Sequence, residues 1–238
     1  MQKIRGWSDG FIGHWCSTIA TDHNLETGMS DLLHFSAVEI ARLQDRATEL
    51  WHRETDAVVE GVQLGGESFY ATMLSQHRAN FELWHVEDRA RMPGATHADI
   101  AEVKRAIDAI NQRRNDLAER CDGLLLEALL LAQLPNPEGE LHSESPGLMI
   151  DRLSILALKI FHTREEIERP NAPEGHAERN QERLGLLTEQ RDDLVGCLDQ
   201  LWAEVLAGRR RFKVYRQLKM YNDPTLNPAI YGKTGSRE

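Results

Sequence analysis

The stretch Ile100–Leu131, IAEVKRAIDAINQRRNDLAERCDGLLLEALLL, decides the fold class. Its apolar residues Ile100, Val103, Ile107, Ile110, Leu117, Cys121 and Leu124 recur every three or four positions, the mark of a helix with one buried face. At about 100° per residue, Lys104, Asp108, Asn111, Asn115 and Asp122 form a second stripe bordering that face. Asparagine favours turns over helix interiors, because its amide competes for backbone hydrogen bonds. Two of them on one stripe point to a hydrated, functional groove.

Working outward, the rest of the chain reads as helices between short breakers. Ser30–Glu60 has helical spacing (Leu33, Ile40, Leu43, Leu50) and ends at Gly61, Gly65 and Gly66. Ser68–Met92 is closed by Pro93-Gly94, and Asp99 is the expected N-cap of the long helix. Pro146-Gly147 introduces Leu148–Arg169, which Pro170 and Pro173 end. Ala177–Leu206 is amphipathic on Leu184, Leu187, Leu194, Leu198, Leu201 and Val205, with Gly208 after it. A last helical piece is expected over Arg209–Tyr221, and alternating strand patterns are missing. The prediction is an all-α, multi-helix bundle with a buried polar groove and a C-terminal basic helix and tail. One helical domain is expected over 1–238, with an N-terminal segment 1–29, a core 30–222 and a tail 223–238.

Composition narrows the function classes. The 238 residues, 41% hydrophobic and 28% charged, suffice to bury the core of a soluble globular protein. The longest apolar run, Leu124–Leu131, is broken by Glu127, so no membrane span is expected. Met1–Cys16 lacks the apolar core of a signal peptide. Three widely spaced cysteines, Cys16, Cys121 and Cys197, form neither a disulfide framework nor a zinc motif, which suits a cytoplasmic protein. Charge is uneven. Residues 208–238 hold eight Lys/Arg against two acids, a net of +6, while the whole chain carries −10. The acidic body argues against nucleic acid as a partner; the basic end suits an anion or the body itself.

Other helices carry polar stripes too. His77, Asn80, Trp84, Glu87, Asp88 and Arg91 fall within about 100° of arc on Ser68–Met92. The Leu148–Arg169 helix is apolar nearly all round, yet places Asp151, Lys159, His162, Glu166 and Arg169 on one side; Gln181, Thr188, Asp192 and Asp199 align on the next helix. Buried charges must be paired or coordinated, and a bundle builds metal or anion sites from converging helices. The candidate catalytic residues are Glu87, Asp88, Asp108 and Asp151. Glu87, Asp88 and Asp108 are the candidate metal ligands; carboxylates suit a hard cation, Mg²⁺, better than zinc. Candidate ligand-binding residues are His77, Asn80, Trp84, Arg91, Lys104, Asn111, Asn115, Lys159, His162, Lys213, Arg216 and Lys219: cations for phosphate oxygens, amides for hydroxyls, Trp84 as a flat wall. The bland alternative is an internal ionic lattice with no ligand.

Several motifs carry less. Glu82-x-x-His85 has di-iron spacing but sits opposite the polar stripe, and no second copy accompanies it. Glu49-Leu50-Trp51-His52-Arg53-Glu54 echoes Glu82-Leu83-Trp84-His85-Val86-Glu87, which means either two related helices or chance. Gly232-Lys233-Thr234 lacks the first glycine of a P-loop, since that position is Asn227.

Four segments in order carry a resemblance: Gln76–Arg91 (QHRANFELWHVEDRAR), Ile107–Asp116 (IDAINQRRND), Ser145-Pro146-Gly147 with Ile150–Leu156 (IDRLSIL), Lys159 and His162, and Lys213–Pro224 (KVYRQLKMYNDP) with Leu226-Asn227-Pro228. Together they resemble the bacterial domain-of-unknown-function family 4254, over residues 30–231. Such families are often encoded beside glycosyltransferases for surface polysaccharide, which implies a glycan-biosynthesis context. Two readings follow from residues and resemblance together. In the first, the protein binds, or acts on, a phosphorylated or nucleotide-linked sugar with a divalent cation. In the second it is a non-catalytic adaptor for a glycosyltransferase. Homo-oligomerisation is compatible with either.

Overall fold

The computed structural model describes residues 31–62, 64–216 and 226. Among them, a 3₁₀ turn (Asp31–His34) leads into α1 (Ala37–Arg53), followed by α2 (Phe69–Ala90), α3 (His97–Leu131), α4 (Pro146–Ile167) and α5 (His176–Leu206). The bundle is all-α, apart from a two-residue parallel pairing of β1 (Glu140–Leu141) with β2 (Arg210–Arg211). One contiguous apolar core runs through all five helices, from Ile40, Leu43 and Trp51 to Leu198, Leu201 and Trp202.

Local chemistry sets the helix ends. Thr96, not Asp99, is the N-cap of α3; the Thr96 hydroxyl accepts from the Asp99 amide and the Asp99 carboxylate accepts from the Thr96 amide, a reciprocal capping box. Helix α1 stops at Arg53, short of the expected Glu60: Glu54 turns extended (φ −143°, ψ 103°) after its amide closes the last turn on the Leu50 carbonyl. Asp199 of α5 accepts the Ala37 amide at 2.8 Å, so α1 is capped from across the bundle. Pro146 opens α4, where its missing N–H costs nothing.

The basic end departs from expectation. Residues 209–216 contain no helix. Gly208, at φ 70°, turns the chain out of α5, and Arg209-Arg210-Arg211 offers no apolar face on which a helix could dock. Instead Glu140 and His142 donate their amides to the carbonyls of Arg209 and Arg211, Arg210 reaches Glu204, and Phe212 enters the core. Lys219, the 217–221 part of the expected helix, the 1–29 segment and most of the 223–238 tail lie outside the described residues.

α1, α2 and α4 run in the same direction, as the climb of their contacts shows. Gln44 meets Ile150, then Thr48 meets His77 and His77 meets Ser154, then His52 meets His85 and His162. α3 runs antiparallel to α4, and their crossing is tight. The carboxylate of Asp122 on α3 accepts the Ser145 hydroxyl and the Gly147 amide (2.6 Å), holding the start of α4. Burial pushes the Asp122 carboxyl up to about 6 against the pull of those two bonds.

A Cβ on Gly147 would stand 2.4 Å from the Ala118 carbonyl oxygen and 2.9 Å from the Asp122 carboxylate. Gly147→Ala should therefore push α4 off α3 and destabilise the protein by about 1–3 kcal/mol in chemical denaturation. An unchanged unfolding midpoint would show that this contact relaxes freely.

Candidate functional site

Two polar assemblies sit between α1, α2 and α4, one above the other. The lower is closed. Asp151 is buried, and its carboxylate accepts from Arg114 (Nε at 2.7 Å and Nη2), from Asn80 (3.0 Å) and from Gln76. Asn80 also donates to Ser154 Oγ (2.8 Å). Ser154 Oγ contacts His77 Nδ1 at 2.7 Å, and His77 Nε2 contacts Thr48 Oγ at 3.0 Å. Thr48 gives its own proton to the Gln44 carbonyl (2.9 Å), so it accepts from Nε2–H, and Nδ1 accepts from Ser154. His77 is thus neutral with a fixed tautomer. Complete burial pushes its pKa down to about 3.

One turn higher the chemistry changes. His52, His85 and His162 each bring a ring nitrogen within 4.8 Å of the other two. In all three rings Nδ1 faces an acceptor: the Thr48 carbonyl for His52 (2.7 Å), the Phe81 carbonyl for His85 (2.7 Å) and the Glu165 carboxylate for His162 (2.8 Å). Those acceptors call for a proton on Nδ1, which in a neutral ring puts the lone pair on Nε2. The Nε2 atoms of His52 and His162 are buried without a hydrogen-bond partner. Burial lowers the pKa of both residues, and the charge of the neighbouring histidines lowers them further. Three imidazoles, each oriented through Nδ1, could together hold a transition-metal ion.

Aromatic packing fixes these rings. His52 stacks on Phe161 (centroids 4.1 Å apart), and Trp84 lies flat on His162 (4.6 Å, 7° between planes). Clefts open around the trio. One of about 420 Å³ is lined by His52, His85, Arg78 and Glu82; one of about 400 Å³ lies between α4 and α5, against Trp84 and His162.

The residues expected from sequence divide into groups. His77, Asn80 and Asp151 do come together, in the closed lower assembly, and Trp84 and His162 meet at the upper one. Lys159 lines the α4–α5 cleft with them. Glu87 and Asp88 instead pair with Arg91 on the surface of α2, and Asp108 pairs with Lys104 one turn away. The described His, Cys, Asp and Glu side chains that gather in threes are the histidine trio, so Glu87, Asp88 and Asp108 do not converge. Asn111 and Asn115 are half-buried on α3. Arg216 is exposed, and Lys213 lies beside Leu126 and Leu130, roughly 25 Å along α3 from Ile110 at 1.5 Å per residue. It therefore does not reach the groove.

Sequence reasoning missed His52, Arg114 and the role of His85. The signal for the first and third was the Glu-Leu-Trp-His echo, whose two histidines are the members of the trio on α1 and α2. Parallel neighbours with the same local sequence present the same residue at the same height, and each histidine bonds the carbonyl four residues before it.

A family model described as a protein of unknown function, DUF4254, matches residues 70–214, more than half of the chain. The chain belongs to this family. The matched span includes His77, His85, Arg114, Asp151 and His162, and begins after His52. Searches of curated proteins and of solved structures gave no match.

His77 makes the bundle acid-sensitive. Between 6.5 and about 3 the unfolded chain takes up a proton that folded His77 refuses. Its contribution to stability is therefore complete above pH 6.5 and is lost as the pH falls, at up to about 1.4 kcal/mol per pH unit. Urea unfolding of wild type and His77→Gln from neutral to mildly acidic pH should differ in slope by about one proton. Parallel curves would place the acid sensitivity elsewhere.

Proposed function

We propose that this protein binds a divalent transition-metal ion on His52, His85 and His162 and uses it as a Lewis acid towards a ligand in the adjoining clefts. The observation that carries this reading is the gathering of three imidazoles, one ring nitrogen of each within 4.8 Å of the others, each ring held through Nδ1. Neutral imidazole suits Zn²⁺, Fe²⁺, Co²⁺ or Ni²⁺ and is a poor ligand for Mg²⁺. Zn²⁺ is the first choice, since it imposes no geometry of its own, and a three-histidine set leaves it at least one position for water or ligand. The carboxylate of Glu165 on His162 raises the basicity of that ligand. A Lewis acid here would polarise a carbonyl or phosphoryl oxygen or activate a bound water.

A second reading has its own support. The stripe residues His77, Asn80 and Asp151 satisfy one another in a closed core, as they would in a non-catalytic adaptor. In that reading the trio is an aromatic packing cluster and takes up no metal.

Metal titration separates the two. Wild type stripped of metal should take up one Zn²⁺ or Co²⁺ per chain, with the visible bands of nitrogen-ligated Co²⁺. Affinity should fall at least about 100-fold in His85→Ala and His162→Ala, and about 10–100-fold in Glu165→Gln. Asp108→Asn should leave uptake unchanged, since Asp108 pairs with Lys104 at the surface of α3 and is no member of the trio. No uptake by wild type at micromolar metal would leave the adaptor reading standing.

A further inference from the structure

The cleft between α4 and α5 has an electrostatic character that the trio alone does not explain. Its walls are Trp84 and Leu187, and its polar lining is Lys159, Thr163, Asn180 and Arg183, with Glu166 at one end. Lys159 is exposed and has no ion-pair partner among the described residues. Arg183 is exposed and bonds a neutral group, the Asn180 side-chain oxygen (2.8 Å). The one carboxylate in the cleft is already engaged, since Glu166 meets His176 at 2.9 Å and Arg169 at 3.3 Å. Two cations are thus left unneutralised across a groove on a chain whose net charge is −10. Random placement in an acidic protein favours the opposite sign.

We propose that this cleft is a phosphate-ester site, in which Lys159 and Arg183 grip the phosphate dianion and Trp84 packs the apolar or sugar portion of the ester. Two cations select a doubly charged oxoanion over a carboxylate or sulfate ester, and Arg183 supplies the fork that matches phosphate oxygens. Lys159 and Thr163 lie one turn apart on α4, and Asn180, Arg183 and Leu187 share a face of α5, so both helices present their polar groups to the same opening. The volume of about 400 Å³ holds a small ester and not a polymer. The inference rests on the metal reading in one respect. His162 is both a proposed ligand of the ion and a wall of the cleft, so an ester bound here would lie beside the Lewis acid.

The test uses phenyl phosphate as probe, with phenyl sulfate as its singly charged counterpart, titrated calorimetrically into the full chain with and without one equivalent of Zn²⁺. The expected result is saturable binding of phenyl phosphate, at least about tenfold tighter than phenyl sulfate. Lys159→Ala and Arg183→Ala should each weaken it by about tenfold or more while Zn²⁺ affinity stays the same, the loss expected for one charge-assisted hydrogen bond. Both residues are exposed, so neither variant threatens the fold. Equal affinity for the two probes, or unchanged binding in both variants, overturns the proposal. Failure of the metal reading shows separately, as absence of Zn²⁺ uptake, and the metal-free titration then still decides whether the cations hold phosphate.

Discussion

The bundle is fitted around the carboxylate of Asp151. Asp151 lies in the first turns of α4, shielded from solvent, and receives donors from α2 (Gln76, Asn80) and α3 (Arg114). A carboxylate taken out of water without such partners costs several kcal/mol, so every arrangement that separates these three helices is penalised. The bidentate guanidinium also sets rotation. Arg114 reaches both oxygens of Asp151 only when α3 and α4 face each other along one particular pair of ridges. An apolar core alone tolerates sliding; this contact does not.

From that fixed point the rest of the polar interior follows in order. Asp151 orients Asn80, Asn80 orients Ser154, and Ser154 settles which nitrogen of His77 carries the proton. His77 in turn leans on Thr48, whose carbonyl accepts from His52. A continuous run of hydrogen bonds therefore joins the structural charge at one level to a proposed metal ligand at the next. Thr48 is the joint, serving the lower assembly with its side chain and the upper one with its main chain.

How much of this the sequence disclosed depends on which interactions are local. Helix existence was legible throughout α1–α5, because apolar spacing and breakers are properties of neighbouring residues. The involvement of His77, Asn80, Trp84, Asp151, Lys159 and His162 was legible as polar groups on otherwise apolar faces. Partner choice was not. Glu87, Asp88 and Asp108 look available for a cation until the folded chain shows that Arg91 and Lys104, one turn away, already neutralise them. Arg114, one residue before Asn115, points to Asp151 instead of lying idle. His85 looked misplaced because it was judged against the stripe of its own helix. Its true neighbours, His52 and His162, lie on other helices, and phase within one helix says nothing about the rotation of the next. The basic end misled for a different reason: cations alternating with aromatics satisfy a helical reading and an extended one equally, and Gly208 with the Glu140 edge decided for the latter.

The short pairing of Glu140–Leu141 with Arg210–Arg211 has a mechanical meaning. α4 and α5 form an antiparallel hairpin. Its closed end is the 168–175 turn, and this pairing ties the chain just outside its open end, helped by Asn136 on the Gly208 carbonyl and Arg211 on the Gly139 carbonyl. A hairpin clamped at both ends behaves as a stiff beam, and the groove along it keeps its width. Admission of a molecule there would proceed by swings of the exposed Lys159 and Arg183 side chains, on the picosecond-to-nanosecond scale, rather than by the microsecond-to-millisecond parting of helices. Traffic through such a groove is set by diffusion and charge, with no gate to wait for.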